Sequence, residues 1–244
     1  RRAVVTVTDL APAERLAGAL AQIAGLDVAL HLGGHRESDF RDADLVVVSP
    51  AVPEDSPFLR LARDSGVPTT CEMNLFLERC RGRVIGITGT AGKSTTSAMA
   101  AAILTAGERP VWFGGNIGRS LLADIDKIQP DDLVVLELSS FQLEDAAALP
   151  FSPSVAVVTN IFPNHLDRHG TLEAYIAAKA HITRYQRPGD VLAVWSGDDN
   201  AARLVAAAPP GVRVWRFGER VASEGIRPEV ELVRRGDGPA LVSH

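Results

Sequence analysis

The 244 residues carry a formal net charge of −5 and are 46% hydrophobic, which suits one large or two ordinary buried cores and excludes a mainly disordered chain. That charge gives no general pull toward nucleic acid or an anionic membrane, and the longest wholly apolar run, residues 98–104, is too short to span a bilayer. The two cysteines, Cys71 and Cys80, have no paired Cys/His spacing suited to zinc, so the expectation is a soluble cytoplasmic protein with thiols in a reducing environment.

In chain order, apolar β-rich runs alternate with helical patterns, which predicts α/β architecture with mainly parallel sheets. Residues 3–8, 27–31 and 45–49 read as strands. Residues 12–24 and 56–65 read as helices, closed by Gly25 and Gly66. A short helix at 72–79 leads into a linker, Arg81-Gly82-Arg83. A second unit starts at Val84 with a strand (84–88), a glycine-rich turn and a helix from Lys93 to about residue 106, stopped by Gly107. Strands follow at 111–113, 133–138, 155–159, 191–195 and 212–217, with helices at 141–149, 172–184 and 199–207. The tail alternates at 230–233 and 240–242 around Arg235-Gly236-Asp237-Gly238, where Asp-Gly suggests a hairpin.

The strongest local signal is VIGITGTAGKSTTSAM at 84–99. Glycines let backbone N–H groups turn toward phosphate oxygens, and the start of a helix adds a favourable dipole. Gly89, Thr90, Ala91, Gly92, Lys93, Ser94 and Thr95 are the candidate nucleotide-binding residues. Lys93 would hold the β- and γ-phosphates and the Ser94 hydroxyl would ligate Mg²⁺. The strict phosphate-loop pattern asks for glycine where Ile87 stands; here the glycines fall at Gly86, Gly89 and Gly92.

Three further residues carry candidate chemistry. Glu137 lies near the carboxyl end of the strand at 133–138, where open α/β sheets bind ligands. It is either a Mg²⁺ ligand or a strand-end carboxylate facing solvent. The next strand delivers NIFPNHLDRHG (160–170), whose His165 and Asp167 suit metal or phosphate as well as an ordinary surface loop. Lys179 falls in the helix at 172–184, beside Tyr175 and Ile176 at helical spacing. Read as solvated, it does nothing; read as buried, its amine loses its proton more easily and can take up CO₂ as a carbamate. Only three of the 25 basic residues are lysine (Lys93, Lys127, Lys179), which draws attention to places where guanidinium cannot substitute.

Taken together, GITGTAGKST (86–95), GGNIG (114–118), LELSSFQLE (136–144), HLDRHGTLEAYIAAKAHI (165–182) and GDDN (197–200) resemble the Mur ligases of peptidoglycan synthesis, and LELSSFQLE most resembles their D-glutamate-adding branch. The resemblance implies a partial Rossmann-like uridine-nucleotide domain at 1–81, then a P-loop NTPase-like central domain with a mainly parallel sheet at 82–244, with a C-terminal domain absent. It implies ATP and two Mg²⁺ ions, with Lys93, Glu137, His165 and Lys179 as the catalytic set. Ser94, Glu137, His165 and a carbamylated Lys179 would hold metal. Asn116, Ser139, Gln142 and His165 would meet the muramoyl–alanyl substrate, while Thr8, Asp9, Ser49 and Pro50 would receive its uridine diphosphate. The implied partners are UDP-N-acetylmuramoyl-L-alanine and D-glutamate, on a monomer that takes neither nucleic acid nor membrane.

Ala91 and Asn164 depart from the family pattern, which usually has a polar residue in the loop and an aspartate before the histidine. The implied reaction is ATP-dependent amide formation through an acyl-phosphate. Rival readings are another amino-acid ligase of the folate or cyanophycin type, a P-loop kinase or regulatory NTPase, and a nucleotide-binding module without catalysis.

Overall fold

The computed structural model describes residues 3–50, 52–53, 55–218, 230–235 and 238–243. The chain forms two compact units, Arg1–Glu72 and Met73–His244. Among the described residues no helix is long and apolar enough to cross a membrane.

In the first unit, β1 (Val5–Asp9) pairs in parallel with β2 (Val28–Leu32), and β3 (Val46–Val48) pairs in parallel with β4 (Thr69–Cys71). Three helices join them: α1 (Ala17–Gln22), α2 (Ser38–Arg41) and α3 (Pro57–Asp64). The helix expected at 12–24 is shorter than its pattern. Residues Ala13–Arg15 form a 3₁₀ turn after Pro12, and Leu16 breaks helical geometry before α1 begins. Helix α3 is better specified, because Pro57 opens it and Gly66, at φ +73°, follows its last turn. Phe40, Ala62 and Val67 form the buried centre of this unit, packed by Phe58 and Leu61. Helix α2 and strand β4 are too short to leave a periodic signal in the sequence.

Helix α4 (Glu72–Arg79) leads into the second unit, built on an eight-stranded sheet. Its strands are β5 (Arg83–Thr88), β6 (Val111–Gly115), β7 (Leu133–Glu137), β8 (Val155–Val158), β9 (Val191–Trp195), β10 (Arg213–Gly218), β11 (Val230–Arg235) and β12 (Gly238–Ser243). The spatial order is β12-β11-β10-β9-β8-β5-β7-β6, parallel throughout except where β12 pairs antiparallel with β11. Arg235 pairs with Gly238, and the expected turn at Gly236-Asp237 lies outside the described residues.

The helices of this unit are α5 (Lys93–Thr105), α6 (Ser140–Asp145), α7 (Leu166–His169), α8 (Leu172–Ala180) and α9 (Asp199–Ala207). Two end earlier than their patterns suggest. Helix α6 tightens into a 3₁₀ turn at Ala146–Ala148, and α8 gives way to turns after Ala180. Strands β5 and β7 are buried on both faces, and β8 turns one face inward, with Ile87, Val134, Val135, Leu136, Ala156 and Val158 inaccessible to solvent. This is why they read as continuous apolar runs. Because β5 lies between β7 and β8, the carboxyl ends of all three converge on one edge.

Candidate functional site

The loop from Gly89 to Gly92 leaves β5 at that edge and opens α5. Gly89 stands at φ +147°, and a Cβ there would lie 1.9 Å from Thr159 Oγ1 and 3.1 Å from the Asn160 carbonyl. Gly92, at φ +81°, is the N-cap of α5 and offers no side-chain cap. The first-turn N–H groups of Lys93, Ser94 and Thr95 therefore have neither an intrahelical acceptor nor a capping side chain, which is the arrangement that receives an anion. Ser94 and Thr95 are exposed, and Lys93 Nζ donates to the Thr90 carbonyl at 3.0 Å.

The loop is strapped to the segment that follows β8. The Asn160 carbonyl accepts the Thr90 N–H at 2.8 Å, and Asn160 Oδ1 accepts the Ala91 N–H at 2.9 Å. The Ala91 carbonyl accepts from Thr159 Oγ1 at 2.7 Å and Asn160 Nδ2 at 3.0 Å. Thr90 Oγ1 accepts the Phe162 N–H at 3.0 Å and lies 3.1 Å from the Tyr175 hydroxyl. The Asp198 carboxylate, at the N-cap of α9, accepts the Ile161 N–H, and Asn200 Nδ2 donates to the Ile161 carbonyl at 3.0 Å. No local pattern in the sequence marks these pairings. The stretches NIFPN and GDDN were visible, but their meeting depends on β8, β9 and β5 lying side by side.

Glu137 ends β7 and is 1% exposed, so it does not face solvent. Its Oε1 accepts from Asn116 Nδ2 at 2.8 Å, while its Oε2 is buried without a partner. Asn116 is held in turn by its own N–H, which donates to the Glu137 carbonyl at 2.8 Å. Gly115 makes that approach possible, since a Cβ there would lie 2.2 Å from the Glu137 carbonyl oxygen.

Lys179 is also 1% exposed, which removes the solvated reading. Its Nζ donates to the Gly89 carbonyl at 3.0 Å and to Thr88 Oγ1 at 3.2 Å, and sits 4.7 Å from the centroid of the Tyr175 ring. Burial, and secondarily the charge of Lys93, push its pKa down from 10.5 to about 7. An amine so placed is readily neutral at physiological pH.

His165 is exposed, unlike Glu137 and Lys179. It is the N-cap of α7 at φ +51°, the one non-glycine residue with positive φ among the described residues. Its ring lies 5.0 Å from that of Phe141. His169, which the sequence did not single out, is packed more tightly: it stacks on Phe141 and its Nε2 lies 3.0 Å from Ser140 Oγ. Burial, then the charge of Arg168, lower its pKa. Among the described residues no three His, Cys, Asp or Glu side chains come together as a metal cluster, so a centre at this edge needs donors of another kind. Asp167 is exposed on α7.

Ser139 and Gln142 form a capping box on α6: Ser139 Oγ accepts the Gln142 N–H at 3.1 Å, and Gln142 Oε1 accepts the Ser139 N–H at 3.0 Å. Both thus have a local structural task, which the Ser-x-x-Gln spacing encodes. In the first unit, Asp9 Oδ1 accepts the Ala11 N–H at 2.7 Å and Thr8 Oγ1 lies 2.7 Å from His35 Nδ1, which shapes the loop after β1. Ser49 and Pro50 are exposed after β3.

A family model, the Mur ligase middle domain, matches residues 87–241. Curated relatives include the UDP-N-acetylmuramoylalanine–D-glutamate ligase of Roseiflexus sp. (strain RS-1), 44% identical over 213 residues that cover 86% of this chain and 46% of the relative. The enzymes of the same name from Acidobacterium capsulatum and Symbiobacterium thermophilum are 41% and 40% identical, covering 92% and 95% of this chain and 48% and 51% of their own lengths. The chain thus spans about half the length of the curated relatives it matches. Among solved structures, the UDP-N-acetylmuramate:L-alanyl-gamma-D-glutamyl-meso-diaminopimelate ligase from Neisseria meningitides aligns with a TM-score of 0.61 at 15% identity, over 99% of this chain and 85% of that one. The UDP-N-acetylmuramoyl-L-alanyl-D-glutamate–2,6-diaminopimelate ligase aligns at 0.55 and 18%, over 82% and 52%. At these identities the likeness is one of fold.

Proposed function

The chain belongs to the Mur ligase family, and from that premise we propose that it forms the nucleotide-binding part of an ATP-dependent ligase that adds D-glutamate to UDP-N-acetylmuramoyl-L-alanine. The reading is carried by one observation. At the edge where the phosphate loop opens α5, a buried carboxylate keeps one oxygen unpartnered and a buried lysine amine is poised to be neutral.

Those two groups fit the Mg²⁺ that such a reaction uses. An orphaned buried carboxylate oxygen is unfavourable unless a cation completes it. A neutral Lys179 amine can add to CO₂, forming an N–C bond and releasing a proton, which turns a cation into an anionic oxygen donor. Glu137, the carbamate of Lys179, Ser94 and His165 would hold the metal, two ions in all. When bound, it would neutralise charge on the transferring phosphoryl group.

The rest falls to the chain's own residues. Lys93 and the first-turn N–H groups of α5 bind the phosphates of ATP. The substrate carboxylate attacks the γ-phosphorus, the bond to the ADP oxygen breaks, and an acyl-phosphate forms. The amine of D-glutamate then attacks the acyl carbon and phosphate leaves. Asn116, Ser139 and Gln142 lie at the carboxyl end of β7, where they would flank the reacting end of the substrate. Thr8, Asp9, Ser49 and Pro50 would receive its uridine diphosphate in the first unit. The resemblance favours a monomer working in the cytoplasm.

The test is phosphate release by the complete gene product with ATP, Mg²⁺ and UDP-N-acetylmuramoyl-L-alanine, with and without D-glutamate. Release that requires both acceptors is expected. Release indifferent to them would leave only a general NTPase.

A further inference from the structure

One exposed residue of the phosphate loop has more partners than its solvation requires. Ala91 is open to water, yet its N–H and carbonyl are both taken by the Asn160 side chain, at 2.9 and 3.0 Å, and the carbonyl also by Thr159 Oγ1 at 2.7 Å. An exposed peptide group could satisfy itself with water, so the effect of this grip is orientation. Orientation matters here because Gly89 and Gly92, on either side, leave the intervening peptides little stiffness of their own.

The grip has a consequence for charge. The N–H groups of Thr90 and Ala91 point at Asn160, to its carbonyl and its Oδ1, and so are not offered to a ligand. What remains for an anion is the N–H of Gly92 and the first turn of α5. Asn160 is itself braced, because the next residue, Ile161, has its N–H bound by Asp198 and its carbonyl bound by Asn200 at 3.0 Å.

We propose that Asn160, braced through Ile161 by Asp198 and Asn200, is a positioning residue of the nucleotide site, setting the Ala91 peptide so that the loop meets phosphate with the N–H groups of Lys93, Ser94 and Thr95. The proposal rests on the nucleotide reading above. Asn160 does not touch the nucleotide; it acts through Ala91.

The test uses Asn160→Ala and Asn160→Asp in the otherwise intact chain, with Mg²⁺ and ADP as the probe. Asn160→Asp keeps the shape and the acceptor for the Ala91 N–H but sets an oxygen against the Ala91 carbonyl, and it covers the case in which the alanine variant does not fold. Dissociation constants, amide exchange at Ala91 and nucleotide-free melting are measured together. The expected result is a Kd for ADP raised about tenfold or more in both variants, equivalent to one or two lost hydrogen bonds. Ala91 exchange should rise toward the unprotected rate, and the further loss in Asn160→Asp should shrink with added salt. In the complete gene product the KM for ATP should carry the defect, with kcat at saturation little changed.

An unchanged Kd with Ala91 freed overturns the proposal alone, as does an affinity loss with Ala91 still protected. A wild-type chain that binds no ADP overturns the nucleotide reading and the proposal with it.

Discussion

Replacing Lys179 with methionine removes a buried amine while keeping a side chain of similar length, and the structure sets the size and sign of the effect. The amine has a pKa of about 7 in the folded chain against 10.5 when exposed, and burial is the main cause. Between these values the unfolded chain binds more protons than the folded one, so stability rises as pH rises from about 7 toward 10.5 and is flat below 7. At 1.36 kcal/mol per pH unit the penalty for charging Lys179 in the fold is at most ~5 kcal/mol. Of this, ~2 kcal/mol should be recovered between pH 7 and pH 9. The methionine variant loses the bonds to Gly89 and Thr88, but that loss is the same at every pH. Urea denaturation in CO₂-free buffer at pH 7, 8 and 9 separates the two contributions. Wild type should gain ~2 kcal/mol more than Lys179→Met across the series. Parallel pH dependences in the two proteins would refute the argument that burial depresses this amine.

Three further outcomes are expected. Gly89→Ala places a Cβ 1.9 Å from Thr159 Oγ1 at a backbone φ of +147°; it should lower stability by several kcal/mol in a thermal or urea melt and weaken ADP binding. Ser139→Ala removes half of the capping box and should lower stability by ~1 kcal/mol, read by urea denaturation. Unchanged ADP affinity in that variant would keep its effect local to α6. Glu137→Gln replaces a buried carboxylate that has one unpartnered oxygen; the metal-free chain should melt no lower than wild type, while the gain in ADP affinity on adding Mg²⁺ should largely vanish in calorimetric titration.

Much of this architecture was legible because strong local signals agreed. The doubly buried strands β5 and β7 announce themselves as apolar runs, and helices α3, α4 and α9 carry clear end signals. The phosphate loop is readable because Gly89 and Gly92 both stand at positive φ and a Cβ at Gly89 would strike Thr159. Burial of Glu137 and Lys179 was a choice between two readings until the sheet and α8 were placed. Asn160, Asp198 and Asn200 were illegible in a deeper sense, since each contacts backbone 37 to 69 positions away and no residue type predicts that distance. Ser139 and Gln142 illustrate the opposite case: their Ser-x-x-Gln spacing is a local signal that the family likeness had overshadowed.

The order of the sheet also says when the site can exist. Strand β5 touches neither of its sequence neighbours on the sheet, since β6 lies beyond β7 and β4 belongs to the other unit. It waits for β7, which ends at Glu137, and for β8, which ends at Val158, about halfway through the second unit. Such parallel, non-local pairing closes long loops before it is rewarded, so it forms late and slowly. The phosphate loop, its strap and the buried pair beneath it therefore assemble only when the middle of the sheet does. A chain that has gained the power to hold nucleotide has by then completed its core, and nucleotide binding can serve as a clock for folding.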